Sequence, residues 1–166
     1  MQIDDAIKMH YQRHGPTQKD LLPDTDAVLM LHGNPTYSFF YRNAAQQLAG
    51  HFLVVAPDHI GFGYSSKPGT EHYNYNLETR IENLETLVDK VIGPNRGIHL
   101  VVHDWGGMIG FGLALKRLKQ LKSMVILNTA AFGLPSDSKL PLRLRMCKTD
   151  VLGGQISKFM TINSNA

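Results

Sequence analysis

Residues 98–107, Ile-His-Leu-Val-Val-His-Asp-Trp-Gly-Gly, decide the fold, because a strand pattern passes directly into a helix pattern there. The apolar, β-branched run over 98–102 predicts a buried strand. A polar pair and an aromatic follow, and the apolar, glycine-rich run over 105–118 predicts a helix. A strand that turns sharply into a helix exposes the residue at the tip, Asp104, at the carboxyl edge of a sheet.

The spacing around Asp104 fits a nucleophile elbow, in which the reactive residue stands two positions before a glycine. Asp104 replaces the usual serine, and Val102 replaces the first glycine of the pattern. A carboxylate is ionised at neutral pH and attacks carbon without a base, which leaves an ester that activated water must cleave. The alternative is that Asp104 only caps the following helix, where a negative charge is favourable.

The composition is that of a globular protein with one sizeable core: 166 residues, 43% hydrophobic and 19% charged. The net charge is +3 and the basic residues are scattered, so no nucleic-acid partner is expected. The single cysteine, Cys147, forms no internal disulfide and, without a signal peptide over 1–8, predicts a cytoplasmic protein. No zinc-ligand spacing occurs, and the longest apolar run, 105–115, is too short to span a bilayer.

Apolar runs and helical patterns alternate along the rest of the chain. Further strands are predicted at 7–14, 27–31, 52–56 and 123–128, and further helices at 38–48 and 77–92. Strands that are apolar throughout, with helices between them, predict a mainly parallel sheet that is covered on both faces. The predicted fold class is therefore α/β.

Several residues are predicted to end or shape these helices. Ser38 is the expected N-cap of the first helix, and Asn76 is the expected N-cap of an amphipathic helix that Gly93 ends. On the helix after Asp104, Gly106 and Gly110 lie four residues apart, so one helix face lacks side chains and can approach the sheet closely.

Ligands of parallel sheets bind at the carboxyl ends of the strands, which is where Asn34, Asp58, Asp104 and Asn128 are predicted to lie. Asp58 and Asn128 are equally expected to be turn formers. The glycines in 61–63 are expected to allow a tight turn rather than to form a phosphate-binding loop.

The turn after the second strand, His-Gly-Asn-Pro over 32–35, supplies a hydrogen-bond donor to the predicted site. In an elbow fold, backbone N–H groups from this turn and from the residue after the nucleophile form an anion hole. Here these residues are Asn34 and Trp105, which add a side-chain amide and an indole N–H. Such donors suit a halide or a carboxylate oxygen that leaves carbon. Alternatively, Asn34 is present because asparagine favours a turn before proline, and Trp105 is present because it packs against its neighbours.

Three stretches together resemble the α/β-hydrolase superfamily in its haloalkane-dehalogenase-like branch: Leu-His-Gly-Asn-Pro-Thr at 31–36, Pro-Asp-His-Ile-Gly-Phe-Gly-Tyr-Ser at 57–65 and His-Asp-Trp-Gly-Gly at 103–107. Epoxide hydrolases share the elbow but usually carry an aromatic residue at the position of Asn34. The stretch 127–132, with Leu140-Pro141 and Cys147 after it, is most similar to the β-lactone decarboxylases of bacterial long-chain olefin synthesis.

The resemblance implies that Asp104 is the nucleophile and that Asn34 and Trp105 stabilise the leaving halide or the lactone oxygen. The implied substrate is a small apolar molecule. A β-lactone would lose carbon dioxide to give a cis-alkene; the alternatives are an alkyl halide that becomes an alcohol, or an epoxide. No cofactor and no metal are expected, and association with other enzymes of olefin synthesis is a further expectation.

The chain departs from the family in one respect, because the family also needs a histidine base and an acidic partner, both after the cap. We expect 1–133 to be the N-terminal part of the α/β-hydrolase core and 134–166 to begin a helical cap, so both groups are absent. His103 should face away from Asp104, because successive strand residues point in opposite directions. The chain is then either the N-terminal part of an enzyme, inactive by itself, or a non-catalytic product that is complete at Ala166 and has an unpaired sheet edge.

Overall fold

The computed structural model describes residues 1–3, 6–17, 22 and 24–129. The chain divides into two compact units, Met1–Ala131 and Phe132–Ala166. The second unit lies outside the described residues, as do the predicted cap over 134–166 and Cys147. The division into a core and the beginning of a cap therefore stays a prediction.

The described residues form five strands and three α-helices. The strands are β1 (Tyr11–His14), β2 (Ala27–Leu31), β3 (Leu53–Pro57), β4 (Ile98–His103) and β5 (Leu121–Leu127). The helices are α1 (Arg42–Leu48), α2 (Leu77–Leu87) and α3 (Trp105–Lys116). A 3₁₀ turn, Ser38–Tyr41, leads into α1, and a π-helical turn, Val88–Ile92, follows α2.

The strands form one sheet in the order β1-β3-β2-β4-β5. β1 is antiparallel to β3, and every other pair is parallel. Strands β2 and β4 are adjacent in register, with Leu31 opposite Val102 at their carboxyl ends. The predicted, mainly parallel sheet is thus confirmed, and the loops that follow β2 and β4 emerge side by side.

Both faces of the sheet are covered, because alternate residues of the central strands pack into two separate clusters. On one face, Leu29 joins a large cluster with residues of α2 and α3. On the other face, Val28 packs with Tyr41 and Ala45, which belong to the 3₁₀ turn and α1. The prediction of helices on both faces is confirmed, and β2 and β3 are buried throughout.

The first strand is shorter than the predicted 7–14. It begins at Tyr11, because the residues before it pair instead with the N-terminus: Lys8 forms a bridge to Gln2, and the Met9 N–H donates to the Met1 carbonyl over 2.8 Å.

The predicted full burial of the last two strands is wrong. In β4, buried and partly buried residues alternate, because the short helix α1 lies over β2 and β3 and only partly covers the β4 face that carries Val101. In β5, the apolar residues Val125, Ile126 and Leu127 are 40–53% exposed. Within the described residues, β5 is an edge strand with β4 as its neighbour, so one side of it lacks packing.

The prediction that Ser38 caps a helix is also wrong. Ser38 lies inside the 3₁₀ turn, whose N-cap Tyr37 makes no side-chain capping bond. The Ser38 N–H donates to Oδ1 of Asp58 over 2.7 Å, and its buried hydroxyl has no partner in the described residues. The chain therefore enters α1 through a turn that a buried carboxylate anchors.

The cap of α2 is confirmed, because Oδ1 of Asn76 accepts a hydrogen bond from the Thr79 N–H over 2.8 Å. The predicted end is confirmed as well, since Gly93 has a φ of 99°, which favours glycine, and follows the π-helical turn. Among the described residues, no helix combines the length and the apolarity that crossing a bilayer requires.

Candidate active site

Asp104 stands at the tip of the turn between β4 and α3 with φ 51° and ψ −126°. A side chain with positive φ costs roughly 1–3 kcal/mol, and such residues cluster at functional sites. Asp104 occupies the N-cap position of α3, yet its side chain makes no capping bond to the helix. The simple capping role is therefore wrong, and the side chain is directed elsewhere.

Two hydrogen bonds and two glycines hold this turn. The Asp104 carbonyl accepts from the Thr129 hydroxyl over 2.6 Å and from the Gly107 N–H over 2.9 Å. A Cβ at Gly106 would collide with the backbone carbonyl of Leu31 and lie 2.8 Å from the next carbonyl oxygen, and one at Gly110 would collide with Val102. The expected close approach of α3 to the sheet is confirmed, and it keeps the turn tight.

The loop after β2 contacts the Asp104 carboxylate directly. The Asn34 N–H donates to Oδ1 of Asp104 over 2.8 Å. Gly33 makes this approach possible, because a Cβ there would collide with the Asp104 side chain. The Asn34 backbone donor was expected to serve an anion hole, and in this structure it instead orients the carboxylate. The Asn34 side-chain amide makes no hydrogen bond to the described residues.

Asn34 and Trp105 line the same cavity, which has a volume of about 210 Å³. Trp105 is 51% exposed, so its indole is not a core residue. The further lining residues, which the sequence did not single out for the site, are His32, Gly33, His59, Phe62, Tyr75, Arg80 and Ile109. The cavity thus begins beside the elbow and extends between α3, α2 and the loop after β3.

Two histidines that line the cavity, His32 and His59, are structural and neutral. Nε2 of His32 accepts from the His59 N–H over 3.0 Å, so Nδ1 carries the proton and donates to the Gly33 carbonyl over 2.8 Å. Burial lowers the pKa of His32 and holds the pKa of His59 well below 6.5. The expected structural role of His32 is confirmed, and it fixes the loop that carries Asn34.

None of the eight histidines, all of which lie in the described residues, forms a hydrogen bond to Asp104. His103 stacks on Phe40, with ring centroids 4.9 Å apart, and so faces away from the elbow as expected. His59 follows β3 at the carboxyl edge of the sheet. This position in the chain is the signal by which the sequence could have identified it as a cavity residue. Its Nε2 has no partner in the described residues.

The other candidates at the sheet edge serve turns. Asp58 is fully buried, and its carboxylate accepts hydrogen bonds from the Ser38 N–H, the Tyr64 N–H and the His10 ring. It therefore holds three segments of the chain together and does not line the cavity. Asn128 adopts a φ of 40°, as a turn former does. Over 61–63, both glycines have positive φ, which confirms a tight loop.

Arg80 supplies the one guanidinium among the cavity residues. It reaches the cavity from α2 and donates from Nη1 to the Ile60 carbonyl over 3.1 Å. Partial burial lowers its pKa, yet a guanidinium remains charged at neutral pH. Within the described part of the chain, no group of three or more histidine, cysteine or carboxylate side chains is placed to hold a metal ion.

Comparison with known proteins agrees with this geometry. A model of the α/β-hydrolase fold family matches residues 26–148. A cis-3-alkyl-4-alkyloxetan-2-one decarboxylase of Shewanella oneidensis is 44% identical over 146 residues, which are 88% of this chain and 43% of that protein. The protein of the same name from Xanthomonas campestris is 40% identical over 146 residues, covering 85% of this chain and 46% of its own.

A solved structure, of an ancestral haloalkane dehalogenase, superposes with a TM-score of 0.73 at 29% identity, covering 91% of this chain and 50% of that one. The chain therefore spans about half the length of the relatives that it matches. The family model covers most of the chain, and the parallel sheet with its flanking helices has the architecture of this fold. The chain therefore belongs to the α/β-hydrolase fold family.

Proposed function

We propose that this chain carries the nucleophile of an α/β-hydrolase-fold enzyme that opens a β-lactone and releases carbon dioxide and a cis-alkene. One observation carries the proposal: Asp104 stands at a strained turn, does not cap its helix, and is oriented by the Asn34 N–H over 2.8 Å. The two decarboxylases at 44% and 40% identity support this choice of substrate.

In the proposed reaction, a carboxylate oxygen of Asp104 bonds to the ring carbon that carries the lactone oxygen, and that carbon–oxygen bond breaks. The electron pair goes to the freed carboxylate, so the substrate becomes an alkyl ester of Asp104. The carbon–carbon bond to this carboxylate then breaks, its pair forms the alkene, and the ester bond opens. Carbon dioxide leaves and the Asp104 carboxylate is regenerated, so this route consumes no water.

The second candidate is a dehalogenase. Asn34 and Trp105 line the same cavity, and side-chain donors such as theirs suit a halide that leaves carbon. The structural similarity to a haloalkane dehalogenase favours the same chemistry. An alkyl ester of Asp104 would also form here, but its removal needs an activated water and hence a general base.

An epoxide substrate remains a further alternative, and so does a chain that catalyses nothing by itself. We assign the activity to the whole protein, since the 166 residues span under half of the two decarboxylases. Both bond changes of the lactone route occur on Asp104 and need no base, so we expect one turnover of that route from this chain as well. A single cysteine accords with a cytoplasmic location, and association with other enzymes of olefin synthesis is part of the proposal.

The test is a product analysis at stoichiometric protein. The chain is mixed with one equivalent of a cis-3,4-dialkyl β-lactone, and headspace gas chromatography measures cis-alkene and carbon dioxide. A parallel sample receives 1-bromobutane, and released bromide is measured. The proposal predicts alkene from the lactone; bromide release without any alkene selects the dehalogenase. Asp104→Asn is the control, and alkene formation that survives it would contradict the proposal.

A further inference from the structure

The Arg80 guanidinium is a partly buried cation that has no carboxylate partner among the described residues. Its single hydrogen bond to the described residues goes to the Ile60 carbonyl, and it forms no ion pair with a described carboxylate. Arg117, by contrast, binds Asp89 with two hydrogen bonds of 2.7 and 2.8 Å. Removing a charge from water without a partner is unfavourable, so an unpaired cation beside a cavity indicates that a ligand supplies the anion.

Two aromatic rings hold this cation in place. Cζ of Arg80 lies 5.7 Å from the ring centre of Phe62 and 5.5 Å from that of Tyr75. Such contacts attract a guanidinium while its N–H groups stay available for other acceptors. Both rings line the same cavity as Arg80, so the cation is positioned before any ligand arrives.

The cavity connects this cation with the two residues beside the nucleophile, although Asp104 itself is not among the residues that line it. Asn34 and Trp105 line it together with Arg80. Its volume of about 210 Å³ equals roughly seven waters at about 30 Å³ each, which is enough for a carboxylate with a short alkyl chain. The remaining lining is mostly apolar and aromatic, which suits the alkyl part of such a molecule.

We propose that this cavity is a carboxylate subsite in which Arg80 binds the carboxylate freed when the lactone ring opens. The inference rests on the proposed function. Ring opening moves one negative charge from Asp104 to the freed carboxylate, so repulsion from Asp104 disappears in the step that creates the anion. Arg80 thereby favours ring opening over the reverse reaction.

The same subsite distinguishes a lactone from an alkyl halide. A guanidinium presents parallel N–H groups that match the two oxygens of a carboxylate, whereas a halide offers a single spherical charge. Arg80 is therefore a specificity-determining residue, and Asn34 and Trp105 are shared by both chemistries.

Ligand binding tests this subsite without catalysis. Trp105 is the only tryptophan in the chain and lines the cavity, so its fluorescence reports on ligands there. The full chain is titrated with butyrate, with the neutral isostere butyramide, and with bromide. We expect saturable binding of butyrate but not of butyramide. Affinity for butyrate should be at least threefold higher in Asp104→Asn, because the competing negative charge is gone.

In Arg80→Gln, the ratio of butyrate to bromide affinity should fall at least tenfold, and Arg80→Lys should lie between this variant and the wild type. Arg42→Gln is the matched control, since Arg42 also lies over an aromatic ring, that of Phe39, but outside the cavity. Circular dichroism confirms that each variant is folded.

Absence of saturable butyrate binding in the wild type would overturn the subsite, and so would an unchanged affinity ratio in a folded Arg80→Gln. If neither Arg80 variant folds, the comparison of the wild type with Asp104→Asn still tests the subsite. Weaker butyrate binding by Asp104→Asn than by the wild type would contradict the claim that the Asp104 charge opposes the bound carboxylate. A chain that binds butyrate but forms no alkene refutes the proposed function alone. A chain that forms alkene but does not bind butyrate refutes the subsite alone.

Discussion

Gly33→Ala should slow ester formation at Asp104. A Cβ at Gly33 would collide with the Cβ and Oδ1 of Asp104 and would lie 2.7 Å from its carboxyl carbon. Ordinary contact begins near 3.4 Å. Rotation about the Asp104 Cα–Cβ bond moves the carboxylate but not Cβ, so the elbow and the loop after β2 must also move apart.

The magnitude follows from that displacement. The carboxyl carbon must move by about 0.7 Å and the nearer Cβ by more, and a misplacement of about 1 Å costs roughly 100-fold in rate. The hydrogen bond from Asn34 to Oδ1 is lost as well, and a bond to a charged group contributes about 1.5–3 kcal/mol. Since about 1.4 kcal/mol is tenfold, both considerations predict a rate that is roughly 10- to 100-fold lower.

The assay follows the mass of the chain over time with excess 1-bromobutane. Gly50→Ala is the matched control, because a Cβ at Gly50 meets nothing within 4 Å. Its rate should equal that of the wild type. Alkylation of a folded Gly33→Ala chain at the rate of the Gly50→Ala chain would refute the claim that the loop after β2 orients Asp104.

Three further predictions concern stability. Gly106→Ala places a Cβ against backbone carbonyls that cannot yield, so urea unfolding should show a loss of about 1–3 kcal/mol, and an unchanged midpoint would contradict the close approach of α3. Burial keeps His32 and His59 neutral, with pKa values below 6.5, so the unfolded chain binds more protons as pH falls. The free energy of unfolding is then highest above pH 6.5 and should decrease as the pH is lowered from 7.5 to 5.5. A free energy of unfolding that does not change over this range would contradict the prediction. Asn76→Ala should cost about 1 kcal/mol in the same assay, with Asn76→Ser, another good N-cap, recovering most of it.

The elbow could be predicted from sequence because its signals are local. An apolar run, a lone Asp and two glycines stand next to one another, and both the strand and the helix follow from their patterns. The side-chain direction of Asp104 was not readable in the same way. It depends on Gly33, which is 71 residues away in the chain and becomes a neighbour only because β2 and β4 pair in parallel.

The rest of the cavity could not be predicted for the same reason. Arg80 lies on α2 next to Ile81, at the margin of the buried helix face, and comes near Asn34 and Trp105 only through the packing of α2 and α3. A charged residue beside a buried face is the signal that the sequence offered. The burial of β5 was overestimated because an apolar run predicts a strand without telling whether a neighbour covers its edge.

The central claim is that the carboxylate of Asp104 attacks carbon, and peptide mapping after alkylation tests it most directly. The chain is incubated with 1-bromobutane, digested and examined by tandem mass spectrometry. The account predicts one butyl group per chain, on the peptide that contains Asp104 and at that residue, with one equivalent of bromide released and no adduct in Asp104→Asn. A wild-type chain that stays unmodified, or the same adduct in Asp104→Asn, would contradict it.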